Sequence, residues 1–127
     1  MASSTSSNDM GGFYTYGDWT SRGNTVRHNF VHHSPQAHGV YCDDGDSGDR
    51  IESNLFYKID AGVFIGGGHD NIATSNIAVE CRKALHLDAR GVSRNYNAQN
   101  KRMVGDLKAV SYQERVHSRK MVMLHTL

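Results

Sequence analysis

Apolar residues in this chain fall in short alternating runs, not in the three- and four-residue steps of an amphipathic helix. GVYC from Gly39, GVFI from Gly62 and ALHL from Ala84 each send side chains alternately to two faces, the mark of a half-buried strand. The polar positions before them repeat too. Each strand is preceded by an apolar residue (Val26, Ile51, Ala73), an asparagine three later (Asn29, Asn54, Asn76) and an apolar residue two beyond that (Val31, Phe56, Ala78). The asparagines are 25 and 22 residues apart and the strand starts 23 and 22. Both spacings fall in the window of ~20–50 residues where periodicity means stacked structural units. Helical repeats are excluded, because their units need amphipathic helices of about ten residues or more, whereas these runs are short, β-branched or aromatic, and punctuated by Gly, Asn and Asp.

A parallel β-solenoid accounts for the period. One coil of three short strands and three turns uses about 22 residues, and each strand stacks on its equivalent one coil away at ~4.8 Å. The register predicts inward columns Val26/Ile51/Ala73, Val31/Phe56/Ala78, Val40/Val63/Leu85 and Cys42/Ile65/Leu87, with Ser34/Ile59/Cys81 as a fifth. The asparagines form a turn ladder, since Asn tolerates left-handed turn geometry and stacked amides can bond from coil to coil. Upstream, GGFYT from Gly11 matches the strand of a preceding partial coil with Phe13 and Thr15 facing in, giving roughly three and a half coils.

The repeated N-x-V-type pattern followed by G-V-Y/F-hydrophobic resembles the right-handed parallel β-helix repeat proteins of the pectate-lyase-like superfamily, over about Gly11 to Gly91. DDGDSGDRIESN, GVFIGGGHDN and ALHLDARG resemble one bacterial subgroup of them closely. The fold expected is all-β, a right-handed single-stranded parallel β-helix of three to four coils with a C-terminal helical segment. Residues 1–10 read as a disordered or extended lead-in, 11–91 as the coils and 92–127 as a cap or oligomerisation segment. In that last part Met103, Leu107 and Val110 stand at i, i+4, i+7, one face of a helix that Gly105 weakens, and MVML before His125 adds an apolar tail. The resemblance also implies carbohydrates as ligands, because many superfamily members are secreted polysaccharide lyases or glycoside hydrolases. This chain has fewer coils than they do, and it reads as a short piece of a longer ancestor.

Charge narrows the partners. Lys and Arg number 14 against 13 for Asp and Glu, so no net field gathers nucleic acid or an anionic membrane. The basic residues from Lys101 to Lys120 lack aromatic interleaving and read as a solvated helix face. There is no apolar run approaching ~18 residues, and MASSTSSNDM lacks the charged and apolar regions of a secretory signal, so the chain as written is expected in the cytoplasm, although the family it resembles is often secreted. Cys42 and Cys81 have neither CxxC nor zinc spacing and read as buried free thiols.

Candidate chemistry gathers around the third strand of each coil. Its outward positions stack as Tyr14, Tyr41, Phe64 and His86, a row that can bind sugar rings or simply pack on a pleated surface. The turns just beyond bring together Asp43, Asp44 and Asp46, then His69 and Asp70, then Asp88 and Arg90. Asp43, Asp44 and Asp88 could hold Ca²⁺, which takes carboxylate and carbonyl oxygens on an adaptable frame. By the resemblance, a lyase would pair that cation with Arg90 as base or carboxylate clamp, with His69 nearby. A hydrolase would use Asp44 and Asp88 as its two carboxyls, ~6.5–9.5 Å apart for inversion. Asp and Gly also dominate solenoid turns for conformational reasons alone. GGGHDN is no phosphate loop, since no Lys-Ser/Thr follows the glycines and no helix starts there; the glycines form the floor of a groove. HNFVHH would make a metal pair of His28 and His32 only on a helix, and the repeat makes this segment strand and turn, with solvent-facing histidines. Trp19 borders the groove or anchors a loop.

Two functions follow. One is a non-catalytic β-helix that binds glycan or assembles with itself through its open ends or C-terminal segment. The other is a polysaccharide lyase or glycoside hydrolase acting on an acidic polysaccharide.

Overall fold

A computed structural model describes Met10–Gly17, Trp19–Val92 and residues 97–109. Among the described residues, ten strands wind as a parallel β-solenoid of about three turns. They are β1 (Gly11–Tyr16), β2 (Thr25–Arg27), β3 (Phe30–Ser34), β4 (His38–Asp43), β5 (Arg50–Glu52), β6 (Leu55–Ile59), β7 (Ala61–Ile65), β8 (Ile72–Thr74), β9 (Ile77–Val79) and β10 (Lys83–Leu87). Every third strand joins the same sheet, giving β1-β4-β7-β10, β2-β5-β8 and β3-β6-β9. A 3₁₀ turn, Arg90–Val92, ends the coils, and one helix, α1, covers 97–109.

The pairing register reproduces the predicted columns. Val26, Ile51 and Ala73 align, as do Val31, Phe56 and Ala78. Val40, Val63 and Leu85 share a column beside Cys42, Ile65 and Leu87, with Phe13 and Thr15 continuing both into β1. Ser34 aligns with Ile59, and Cys81 packs against the same core partly buried. Burial peaks in the middle coil, where Ile51 and Phe56 are fully enclosed, and falls away at the last, where Leu87 is 62% exposed. A parallel stack explains this gradient: a middle residue is covered from both sides and an end residue from one. The outer face of β3-β6-β9 is also apolar, with Phe30, Leu55, Ile77 and Val79 exposed along it.

The asparagine ladder is hydrogen-bonded throughout. Oδ1 of Asn54 accepts from the backbone N–H and Nδ2 of Asn29 at 3.1 and 3.0 Å, and Oδ1 of Asn76 accepts from the same two groups of Asn54 at 3.0 Å each. The residue before each asparagine, His28, Ser53 or Ser75, has a left-handed backbone that turns the chain there. A second ladder lies five residues earlier and is absent from the sequence-based reading. Asn24 donates to Oδ1 of Asp49, and the Asp49 N–H donates to Oδ1 of Asn71 at 2.9 Å. Its spacing, 25 then 22, is the same period, so the signal was present; the Asn/Asp mixture hid it.

Helix α1 docks on the side of the coils. Met103 is buried against Gly17 and Gly45, and Gln99 Nε2 donates to the Asp44 carbonyl at 2.9 Å. Met103 therefore faces the coils as its helical spacing predicted. Val110 and the MVML tail lie outside the described residues.

Candidate functional site

The turns after the third strands converge on Arg90. The parallel register carries Asp43, the last residue of β4, into one column with Gly66 and Asp88, which follow the ends of β7 and β10. The 3₁₀ turn then folds Arg90 back over this column. Its Nη1 donates to Asp43 and to Asp44, the latter at 3.0 Å, its Nε donates to Asp88 Oδ2 at 2.8 Å, and its Nη2 donates to the Tyr41 hydroxyl at 3.3 Å. The guanidinium also sits over the Phe64 ring, 5.4 Å from its centroid. Gly66 makes room for it, because a Cβ there would stand 3.1 Å from Nη1. The floor that the glycine triplet was expected to provide is thus occupied by a side chain of the same protein.

Electrostatics follow from this packing. Burial would raise the Asp43 pKa, but hydrogen bonds from Tyr14, Tyr41, the Asp44 N–H and Arg90 outweigh it and hold the carboxyl below its ordinary range. Burial drives the Tyr41 hydroxyl well above its ordinary value, with Arg90 pulling the other way. Burial also works against the charge on Arg90, and the bonds to Tyr41, Asp44 and Asp88 more than reverse that. One half-buried cation faces three carboxylates, two of them shared with backbone N–H donors.

Of the residues singled out from sequence, Asp43, Asp44, Asp88 and Arg90 come together. His69 stands apart, its ring 2.8 Å from Asp70 Oδ2 and edge-on to Trp19, its N–H donating to Ser47 Oγ. Trp19 is a loop anchor, buried with Nε1 donating to the Gly45 carbonyl at 2.6 Å. The aromatic row is a real stack. Tyr41 and Phe64 lie nearly parallel with centroids 4.5 Å apart, Phe64 and His86 4.2 Å apart, and Tyr14 meets Tyr41 edge-on. Tyr41 is 2% exposed and Phe64 8%, because each covers the other and Arg90 and His38 close the sides. Tyr14 and Tyr16 are the open rings of that face.

Two further clusters escaped the sequence reading. Beneath the same turn, Cys42 Sγ and a carboxylate oxygen each of Asp46 and Asp49 lie within 4.8 Å of one another, all buried. Burial pushes Asp46 up to about 7, aided by Asp49, while Thr15 donates to it at 2.9 Å. Burial and the Asp46 charge push Cys42 up to about 12. At the opposite end of the third strands, His38, Asp60, Phe64, Arg82 and His86 line a cleft of about 390 Å³, in which Arg82 holds Asp60 by two hydrogen bonds. The first cluster is gathered within the one turn from Cys42 to Asp49 and the second joins residues of successive coils whose types do not repeat, so neither leaves a periodic signal to read.

A parallel β-solenoid with a polar cluster at its turns and a helix docked beside them defines the class of protein: a short β-helix repeat protein. The family described as periplasmic copper-binding protein (NosD) matches residues 2–114, and the chain belongs to that family. No curated protein and no solved structure matches it.

Proposed function

We propose that this chain is a non-catalytic β-helix binding protein of the periplasm with copper as its ligand. The observation that carries the non-catalytic part is the internal neutralisation of Asp43, Asp44 and Asp88 by Arg90. A general acid and base must be free to exchange protons with substrate, and a lyase base or calcium cage needs those carboxylates or that guanidinium unengaged. Here each is the other's partner. The aromatic row gives the carbohydrate reading little more support, since its two central rings are buried.

Compartment and metal come from the family's description. The cytoplasmic expectation rested on the lack of a long apolar run and on MASSTSSNDM, and it gains no support, whereas export agrees with the secreted proteins that the repeats resemble. No helix among the described residues is long and apolar enough to cross a membrane.

Copper is a choice of donors. It favours imidazole and soft sulfur over carboxylate. Cys42, Asp46 and Asp49 fit it poorly: two of the three donors are hard oxygens, and the third is a thiol held protonated by burial. Imidazole is plentiful, with His28, His32, His33 and His69 exposed. The inward columns end exposed at Leu85 and Leu87, which supports self-association through that end.

Equilibrium dialysis of the metal-free chain against Cu(II), alongside a panel of acidic polysaccharides, tests the reading. Copper retained without glycan turnover is the expected result. Turnover of any polysaccharide that Arg90→Ala abolishes would overturn it.

A further inference from the structure

We infer that His32 and His33 form the copper-binding site, an inference that rests on the copper reading above and gives it a location. Neighbouring residues of a strand normally point to opposite faces. These two do not, because His33 has a left-handed backbone, φ 54°, within β3. Both rings reach solvent, and their Nδ1 atoms lie 3.0 Å apart. The deviation belongs to the fold, since Lys58 and Glu80 at the equivalent places of the next two coils have φ of 53° and 51°. The solenoid imposes the bend on every coil, and only the first carries imidazoles at it.

The separation suits a metal. With metal–nitrogen bonds of about 2.0–2.1 Å, two nitrogens 3.0 Å apart subtend about 95° at a shared ion. That is the angle between neighbouring positions of the tetragonal geometry Cu(II) prefers, and it is narrower than a tetrahedral zinc site wants. The rings are also held in place before any ion arrives. His32 stacks on Phe30 with centroids 4.5 Å apart, and His33 meets the Tyr57 ring edge-on at 5.1 Å. Lys58, which follows Tyr57 on the next coil, lies over the Tyr57 ring and is paired with Glu80 at 3.6 Å, which reduces its repulsion of a second positive charge. Two adjacent imidazoles leave the other positions of the ion to water or to an incoming donor, so the site is open on its solvent side. Without metal, one Nδ1–H donating to the other Nδ1 accounts for the same distance.

The test titrates the untagged, metal-free chain with Cu(II) in a non-coordinating buffer, followed by electron paramagnetic resonance. One equivalent with a tetragonal spectrum and nitrogen coupling is expected. His32→Gln and His33→Asn, the second chosen because Asn tolerates the left-handed backbone, should each weaken binding by more than about tenfold, as even outer-sphere changes often do. Circular dichroism should be unchanged in both, and His69→Gln should bind as the wild type does. Nitrogen-coordinated copper unchanged in both variants would overturn the site while leaving the copper reading standing. A wild-type chain that takes up no Cu(II) would overturn both.

Discussion

On one edge of the solenoid, Asn29, Asn54 and Asn76 make the same pair of hydrogen bonds from coil to coil. Above the third strand, Asp43, Gly66 and Asp88 hold equivalent places and do different things, with Arg90 reaching across all three. The first arrangement is periodic: each amide is satisfied by its own copy, and adding a coil would extend it. The second is a single closed cluster that uses up its charges and cannot be extended. Repetition in a solenoid therefore marks the parts that hold the coils together, and breaks in repetition mark where one side chain was placed for a particular partner. The His32–His33 pair belongs with the second kind, because its geometry recurs in every coil and its chemistry does not.

The sharpest break in the periodic arrangement is Asn54→Ala. Asn54 is buried, accepts two bonds from Asn29 and donates to the Val26 carbonyl and to Asn76, so its loss strands donors and acceptors on the two coils that flank it. Destabilisation of about 3–4 kcal/mol is expected in urea unfolding, against about 1 kcal/mol for Asn76→Ala at the end of the ladder. Equal costs would mean that position in the stack does not matter. Arg90→Ala comes next, at about 2–3 kcal/mol near pH 7, because it leaves buried Asp43 and its neighbours unneutralised. Its cost should shrink in acid. Asp43 has a folded pKa below its unfolded value of about 3.9, so the stability it contributes is present above that pH and lost as pH falls through the folded pKa.

How much of this was legible follows the same division. The columns from Val26 to Leu87 and the Asn29 ladder could be written down from spacing alone, because each residue's partner is its own equivalent one period away. The turn cluster was legible as a gathering of Asp43, Asp44, Asp88 and Arg90, since the register fixes where turns stack. Its internal pairing was not, because Arg90 reaches Asp43 by folding back through a 3₁₀ turn that no repeat precedes. His69 falls outside the cluster for a related reason: the loop holding Trp19 supplies it with a different neighbour. HNFVHH was rightly read as strand and turn with its histidines in solvent, yet the left-handed φ at His33 that joins the two rings has no residue-type signal, since His, Lys and Glu occupy that column.

Asp46 sharpens the contrast with Asp43, three residues away, by moving in the opposite direction. Burial beside Asp49 raises it to about 7, so the stability it contributes is complete below its unfolded pKa of about 3.9 and is lost as pH rises through about 7. Asp46→Asn, which keeps an oxygen for Thr15, should therefore be more stable than wild type by about 1–2 kcal/mol at pH 8, with the gain gone by about pH 4. Thermal melts across that range check it, and a gain independent of pH would mean that Asp46 is not the group that titrates.

The smallest effect separates space from charge. In Gly66→Ala the new methyl would meet Arg90 Nη1 at 3.1 Å and the Cys42 carbonyl at 3.2 Å. The guanidinium is the far end of a flexible side chain and can give way, so about 1 kcal/mol is expected in the wild-type background. In an Arg90→Ala background the guanidinium contact is gone while the carbonyl contact stays, and the same substitution should cost less. If Gly66 is small to seat Arg90, the two changes are coupled and the double variant is more stable than the sum of the single losses predicts. Simple additivity would assign the glycine to the backbone turn alone, and the cluster would then lose its claim to be built around one side chain.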